Sequence, residues 1–264
     1  MNDTLTIESI NGFVELYNTK EKVYSSGFTK LKRNSFDTIK GKSKDNSHNG
    51  KSTDEQLQKY LKKRVKERKE KIIDIAFCNN WLYFITLTFD TKNKEYFPNG
   101  YSHETAIELL KKWINNQHHK NKNMRYILVS EFHKESGNLH FHGLFNNVNW
   151  SFSSAINPHT GKEIIQNGCK VYNLNDYKYG FTTISEIKDT RKVSIYLSKY
   201  ITKDLISLKN KKVFWYSRNL NRPKIYYRYL PMQLKDYLKD NIDYYNIFEK
   251  DNCKIEIAEI KNTF

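Results

Sequence analysis

Two histidines in segment 139–145 alternate with apolar residues, and this spacing could hold a metal ion. Successive side chains on a β-strand point to opposite faces, so His140 and His142 would emerge together while Phe141 enters the core. Two imidazoles held side by side on a rigid strand form a chelate for a divalent metal. The alternative interpretation is that both histidines are exposed strand residues without a ligand.

A carboxylate on the preceding strand would complete such a site. A two-residue turn at 136–137 would place Glu131 directly opposite His142. Two imidazoles and one carboxylate suit a divalent ion that keeps open positions for water or substrate. We expect Mg²⁺ or Mn²⁺ in an enzyme that handles phosphates, although these ligands would also accept Zn²⁺. The alternative role for Glu131 is that of a cross-strand charge partner. The same register places His133 opposite His140, and for His133 we favour a solvated strand end.

A second chemical pattern is the run Tyr-x-x-Lys-Tyr-x-x-Lys at 196–203. On a helix, spacings of three and four residues bring both tyrosines and both lysines onto one stripe: Tyr196, Lys199, Tyr200 and Lys203. A buried tyrosine stripe is the alternative, but regularly placed lysines make burial costly, so this face should meet water or phosphate. A tyrosine hydroxyl, with a pKa of about 10, becomes an effective nucleophile only when a base, a cation or a metal-polarised electrophile assists it.

The elements around these motifs alternate between helices and strands. Hydrophobic periodicity predicts helices at 54–79, 102–117 and 190–208, and strands at 81–89, 125–133, 139–145, 180–187, 213–216 and 225–227. Strands joined by hairpins and interleaved with helices indicate an α+β fold, with an antiparallel sheet and helices on one face. We predict three parts: an N-terminal extension of short hairpins with a flexible basic linker at 1–53, a central domain at 54–230, and a helical tail at 231–264.

Composition points to a polyanionic partner. The 264 residues contain 45 Lys and Arg against 29 Asp and Glu, a net charge of +16, and 14% are aromatic. Positive charge attracts nucleic acid, and flat aromatic side chains stack on unpaired bases. With a mean hydropathy of −0.80 the chain has no apolar run long enough to span a membrane. No signal peptide is recognisable, and three scattered cysteines do not form a disulfide framework, so we expect a cytoplasmic protein.

Three motifs, in order along the chain, resemble those of the HUH endonucleases, specifically the rolling-circle replication initiators of small phages and plasmids. The first is Phe-Ile-Thr-Leu-Thr-Phe at 84–89, the second is His140-Phe141-His142, and the third is Tyr196-Leu197-Ser198-Lys199. Tyr200 resembles the second tyrosine of the paired-tyrosine subgroup. The resemblance covers roughly residues 54–227. It implies the ferredoxin-like or RRM-like HUH fold, with a central antiparallel sheet and helices packed on one face.

The resemblance implies an enzyme that nicks and joins DNA. In this family a metal polarises the scissile phosphate of a single-stranded origin, and a tyrosine attacks it. The protein becomes linked to the 5′ end and leaves a free 3′-OH. The metal ligands would be the two histidines and the glutamate named above, and Tyr196 would be the nucleophile with Lys199 beside it. Tyr200 would be a second nucleophile or a base-stacking residue.

Basic and hydroxyl side chains near the motifs are predicted to contact the DNA: Lys203, Arg191, Lys192, Thr86 and Thr88. The substrate would be single-stranded or melted origin DNA. No phosphate-binding loop is recognisable, so we expect a separate helicase and polymerase, those of a bacterial host. Two alternatives remain. One is an HUH-type transposase or relaxase with the same chemistry. The other is a non-catalytic single-stranded nucleic-acid binder, which would explain the charge and the aromatics but not the histidine and tyrosine motifs.

Overall fold

The computed structural model describes residues 5–9, 12–36, 54–133, 135–166, 168–202, 212–230, 234–239, 242–250 and 253–261. The chain divides into two compact units. The central unit is Ser52–Leu220, and the terminal unit combines Met1–Lys51 with Asn221–Phe264. The predicted separation into an extension, a domain ending at residue 230 and a tail is therefore replaced by a unit to which both chain ends contribute.

Within the described residues the strands are β1 Leu5–Ser9, β2 Gly12–Tyr24, β3 Phe28–Phe36, β4 Tyr83–Phe89, β5 Arg125–Phe132, β6 Leu139–Asn146, β7 Phe152–Ser154, β8 Ile165–Gln166, β9 Cys169–Lys170, β10 Tyr172–Leu174, β11 Gly180–Glu186, β12 Phe214–Tyr216, β13 Lys224–Leu230, β14 Tyr244–Lys250 and β15 Cys253–Lys261. The helices are α1 Asp54–Phe77, α2 His103–Lys120, α3 Thr190–Ser198 and α4 Leu234–Leu238. Ser102 caps α2, because its side chain accepts the Thr105 backbone N–H.

The central unit is built on a sheet in the order β12-β5-β6-β4-β11-β10-β7. Every neighbouring pair in this sheet is antiparallel. Helix α2 packs on one face, where Leu110 and Trp113 share a buried cluster with Phe141 and Phe145. The predicted α+β class, a central antiparallel sheet with helices packed against it, is confirmed.

The second face of the same sheet is covered in part by α1 and α3. Ile72 of α1 and Leu197 of α3 lie in a buried cluster with Ile127 and Leu144 of the sheet. Because side chains alternate along a strand, β6 supplies residues to both clusters, and its histidines belong to this second face. The part of the face beyond Leu144 holds the candidate site.

The terminal unit has a sheet in the order β1-β2-β3-β15-β14, with β13 pairing to β2. The hairpins predicted near the N-terminus are confirmed by the antiparallel pairs β1–β2 and β2–β3. The helical tail predicted at 231–264 is wrong: one short helix, α4, precedes two strands, β14 and β15. The alternation of Ile255, Glu256 and Ile257 has the two-residue period of a strand. Most of the predicted linker, residues 37–53, lies outside the described residues.

Helix α4 covers one face of the terminal sheet. Its Leu234 and Leu238 form a small buried cluster with Leu31 and Ala258. On the same side, Arg33 forms a buried ion pair with Glu256, with 3.6 Å between Nη1 and Oε1. Of the helices in the described part of the chain, none has both the length and the apolar character that a membrane crossing requires.

Candidate active site

The register between β5 and β6 decides which side chains meet across the hairpin. Glu131 pairs directly with His140, and Val129 pairs with His142. The predicted pairing of Glu131 with His142 is therefore wrong by two residues. Because the error is an even number of residues, Glu131 and both histidines still lie on the same face of the sheet.

The cause of this difference is the turn. The predicted two-residue turn at 136–137 is wrong, because the backbone N–H of His133 donates to the Asn138 carbonyl at 2.8 Å and the loop is longer. Gly137 has a φ of 68°, a left-handed conformation that glycine adopts without strain. His133 thus lies opposite Asn138 rather than His140, although the two imidazole rings remain neighbours, with 4.9 Å between their centroids.

His142 lies between two hydrogen-bond partners. Its Nε2 is 2.8 Å from Oε2 of Glu131, and its Nδ1 is 3.0 Å from Oγ1 of Thr86, the residue directly opposite on β4. A carboxylate only accepts, so Nε2 donates to Glu131 and Nδ1 accepts the Thr86 hydroxyl. Burial lowers the pKa of His142 to about 4. The ring is therefore neutral at pH 7, and its contact with Glu131 is a hydrogen bond rather than an ion pair.

His140 lies in the next row of the sheet. It is flanked by Thr88 on β4 and Glu131 on β5. Burial is the main cause that lowers its pKa, and the neighbouring His133 and His142 act in the same direction, against the effect of Glu131. The two threonines predicted to contact DNA thus lie beside the two histidines, and Thr86 is bonded to one of them.

Helix α3 brings the tyrosines to the histidine face. Tyr196 lies in the last turn of α3, and Tyr200 follows the helix end. The Tyr200 ring stacks on the His142 ring, with 3.8 Å between centroids and 5° between planes. The Tyr200 hydroxyl donates to the Tyr196 hydroxyl at 2.7 Å. Tyr196 also packs edge-on against Phe84 of β4, at 5.7 Å between centroids.

The two tyrosines differ in their surroundings. Tyr196 has 46% of its surface exposed, whereas Tyr200 is partly buried under its neighbours. Burial raises the pKa of Tyr200, and the hydrogen bond to Tyr196 and the nearby Glu131 charge raise it further. Tyr200 therefore keeps its proton and serves as a donor, while the accessible Tyr196 oxygen receives that hydrogen bond.

The predicted helix at 190–208 is too long, because α3 ends at Ser198. The stripe of four side chains is consequently not a regular helical face. Lys199 is exposed, and its Nζ lies 5.9 Å from the centroid of the Tyr196 ring. Lys203 lies outside the described residues.

The two other predicted cations are in the first turn of α3, away from the tyrosines. The guanidinium of Arg191 lies over the Phe77 ring, 5.8 Å from its centroid. Lys192 is paired with the N-cap residue Asp189, with 3.5 Å between Nζ and Oδ2. Both side chains are exposed. The structure therefore places Lys199, but not Arg191 or Lys192, beside the tyrosine pair.

Phe181 on β11 is a site residue that the sequence reasoning missed. It pairs directly with Thr88, which extends the row across four strands: Glu131, His140, Thr88 and Phe181. Phe181 is 68% exposed, whereas Thr182 and Ile184 on the same strand are buried. Its position in the strand alternation, out of phase with Ile184, was the available signal. An exposed ring beside the candidate metal ligands can stack on an unpaired base.

Replacing Phe181 with alanine should weaken binding of single-stranded DNA about tenfold, the effect of losing one stacked base. Thermal unfolding should stay unchanged, because the ring is exposed. Fluorescence anisotropy with a labelled oligonucleotide in EDTA measures the affinity without cleavage. Phe181→Tyr is the matched control and should retain the affinity of the original chain. Equal affinities for Phe181→Ala and Phe181→Tyr would contradict a stacking role.

The donor chemistry of the predicted metal ligands fits a divalent ion. Neutral imidazoles and a carboxylate are ligands for Mg²⁺, Mn²⁺ or Zn²⁺, and the three predicted ligands, Glu131, His140 and His142, share one face of adjacent strands. Within the described ranges, no three His, Cys, Asp or Glu side chains are grouped as a ready metal cage. The direct hydrogen bond between Glu131 and His142 uses the donor atoms that an ion would need.

Comparison with known proteins bears on the central unit. Residues 82–205 match the model of a family described as Replication-associated protein, ORF2 type. Neither the curated proteins nor the solved structures give a match. The matched range includes β4, β5, β6, β11 and α3, the elements that carry the site. The part of the chain that holds the candidate active site is thus similar to a family of replication-associated proteins.

Proposed function

We propose that this chain initiates DNA replication by nicking and rejoining a single strand at an origin through a covalent phosphotyrosine. The observation that most directly supports this is the contact between tyrosines and histidines, in which Tyr200 stacks on His142 and donates to Tyr196. The similarity of residues 82–205 to replication-associated proteins supports a role in replication.

The proposed reaction is a transesterification. The Tyr196 oxygen bonds to the scissile phosphorus, and the bond from phosphorus to the 3′ oxygen breaks. Tyr196 loses its phenolic proton, and the departing 3′ oxygen takes up a proton to become a free hydroxyl. The bond energy is retained in the phosphotyrosine, so a later attack by a 3′-OH restores the strand without a nucleotide cofactor.

The residues around Tyr196 have separate tasks in this proposal. Tyr200 donates a hydrogen bond to the oxygen that must carry negative charge during attack, which stabilises that charge. A divalent ion, Mg²⁺ or Mn²⁺, held by Glu131, His140 and His142 would supply polarisation of the scissile phosphate. Thr86 holds the His142 ring in position through Nδ1. Lys199, close to the Tyr196 ring, adds positive charge on the side where phosphate would bind.

The substrate we propose is single-stranded or melted origin DNA, because the tyrosine must reach a phosphate in an accessible strand. Transesterification neither unwinds a duplex nor extends the new 3′ end. We therefore propose that a separate helicase and polymerase, supplied by the host cell, act after the nick.

A single experiment tests the proposal. The full chain is incubated with Mn²⁺ and a random-sequence library of single-stranded oligonucleotides labelled at the 3′ end, followed by denaturing electrophoresis. Attachment to the 5′ phosphate keeps the 3′ label on the protein, so we expect a labelled band that survives denaturation and disappears with EDTA. The same library labelled at the 5′ end should give a shortened free fragment instead. Absence of the adduct with Mn²⁺, Mg²⁺ and Zn²⁺ would favour a non-catalytic single-strand binder.

A further inference from the structure

The terminal unit carries a lysine surface that the proposed cleavage does not use. Lys20 on β2 pairs directly with Lys32 on β3, and Lys22 pairs directly with Lys30. Residues two apart on a strand share a face, so the four lysines form a two-by-two grid on the side of the sheet opposite Leu31. Since Leu31 packs with α4, the grid lies on the face that α4 does not cover.

Like charges directly opposite each other on neighbouring strands destabilise a sheet. The grid contains two such pairs. Within the two rows that hold the lysines, Glu259 supplies the carboxylate, and its Oε1 is 3.2 Å from Lys30 Nζ. The two rows therefore carry four positive charges against one negative charge among the described residues. A polyanion that binds across the face would remove this repulsion.

Aromatic and aliphatic side chains extend the same two rows. Tyr227 pairs with Lys20 and is 63% exposed, and the Lys20 Nζ lies 5.9 Å from the centroid of its ring. The second row ends in Tyr244, which pairs with Glu259 and is 46% exposed. Exposed rings beside a row of cations are the arrangement that binds unpaired bases and their phosphates together.

We propose that this lysine face, defined by Lys20, Lys22, Lys30 and Lys32 with Tyr227 and Tyr244, binds single-stranded nucleic acid. The lysines contact the phosphates, and the tyrosines stack on bases. Charge alone would also suit an acidic protein, but such a partner has no bases for the exposed rings. Duplex DNA offers the phosphates but keeps its bases paired. This binding needs neither metal nor cleavage.

The test uses the full chain carrying Tyr196→Phe in EDTA, so its outcome does not depend on whether the central unit cuts DNA. The probe is a 20-nucleotide single-stranded DNA of mixed sequence, and affinity is measured by fluorescence anisotropy over a range of salt concentrations. Lys20→Ala with Lys32→Ala removes one directly opposed pair. We expect affinity at 0.15 M salt to fall about tenfold, and the slope of log K against log salt to decrease by about 1.4, or about 0.7 for each phosphate contact.

The matched control is Lys94→Ala with Lys122→Ala, which removes the same charge from two exposed positions of the central unit. This control should bind as the parent does. The thermal unfolding temperature of the Lys20/Lys32 variant should not fall, because a repulsive pair is lost. Lys20→Arg with Lys32→Arg should restore binding. If the Lys20/Lys32 and Lys94/Lys122 variants have the same affinity and salt slope, the proposal is overturned.

The stacking part is tested by Tyr227→Ala, which should reduce affinity about tenfold, while Tyr227→Phe should retain it. The duplex form of the probe should bind more weakly than the single strand. Equal binding of duplex and single strand, or no effect of Tyr227→Ala, would overturn the assignment to unpaired bases. An RNA probe of the same sequence distinguishes the two sources of the ligand, and dependence on Lys20 and Lys32 with either probe supports the proposal.

Discussion

Replacing Tyr196 with phenylalanine should abolish the covalent protein–DNA adduct, a loss of at least about 10⁴-fold in the rate of cleavage. The substitution removes only the hydroxyl and leaves the ring in contact with Phe84. Binding of single-stranded DNA should therefore remain within about twofold of the original affinity, since the stacking surface is kept. Denaturing electrophoresis measures the adduct, and anisotropy in EDTA measures binding.

Tyr200→Phe is the matched comparison. It preserves the stack on His142 but removes the donor to the Tyr196 oxygen. We expect the adduct still to form, about tenfold more slowly, because one stabilising hydrogen bond is lost. The opposite pattern, an adduct with Tyr196→Phe and none with Tyr200→Phe, would make Tyr200 the nucleophile. An adduct with each single variant and none with the double variant would show that the two tyrosines act as alternates.

Replacing Glu131 with glutamine should lower metal-dependent cleavage at least about 100-fold, because an amide is a weaker ligand for a hard cation than a carboxylate. The side chain keeps its size and can still accept a hydrogen bond from His142, so folding should be preserved. Mn²⁺ affinity measured by calorimetry should fall in parallel, while binding of single-stranded DNA in EDTA should not.

His140→Ala should behave as Glu131→Gln does and is cleaner than His142→Ala, which also removes the ring on which Tyr200 stacks. For both histidines, cleavage should be impaired more than metal-free DNA binding. Equal losses would indicate a structural role instead. Should Glu131→Gln bind Mn²⁺ and cleave as the parent does, the carboxylate is a charge partner of the histidines rather than a ligand.

Thr86 separates positioning from ligation. Thr86→Val keeps the shape of the side chain but removes the hydroxyl partner of His142 Nδ1. Loss of such a partner weakens metal affinity or activity by about 10-fold to 100-fold. The effect should be smaller than that of Glu131→Gln, and Thr86→Ser should restore activity. A Thr86→Val variant with unchanged Mn²⁺ affinity would leave Thr86 without a positioning role.

Short-range periodicity made much of the central unit predictable. The two-residue alternation of 139–145 assigned His140 and His142 to one face and Phe141 to the other, and the burial of Phe141 agrees with this. The same alternation explains why an error of two residues in the hairpin register left Glu131 on the correct face. The register itself was not predictable, because it depends on a loop whose length is set by backbone conformation at Gly137.

The sequence by itself determined the composition of the chain, its α+β class, and the motifs whose residue types could carry out metal-assisted attack on a phosphate. Only the tertiary structure decided that Tyr200 stacks on His142 while Tyr196 stays accessible, that Phe181 extends the row of candidate ligands, and that both chain ends form one sheet with opposed lysines. The physical reason is range. Strand and helix periods are properties of neighbouring residues, whereas these contacts join segments that are distant along the chain, and the register of the whole sheet determines which of their side chains meet.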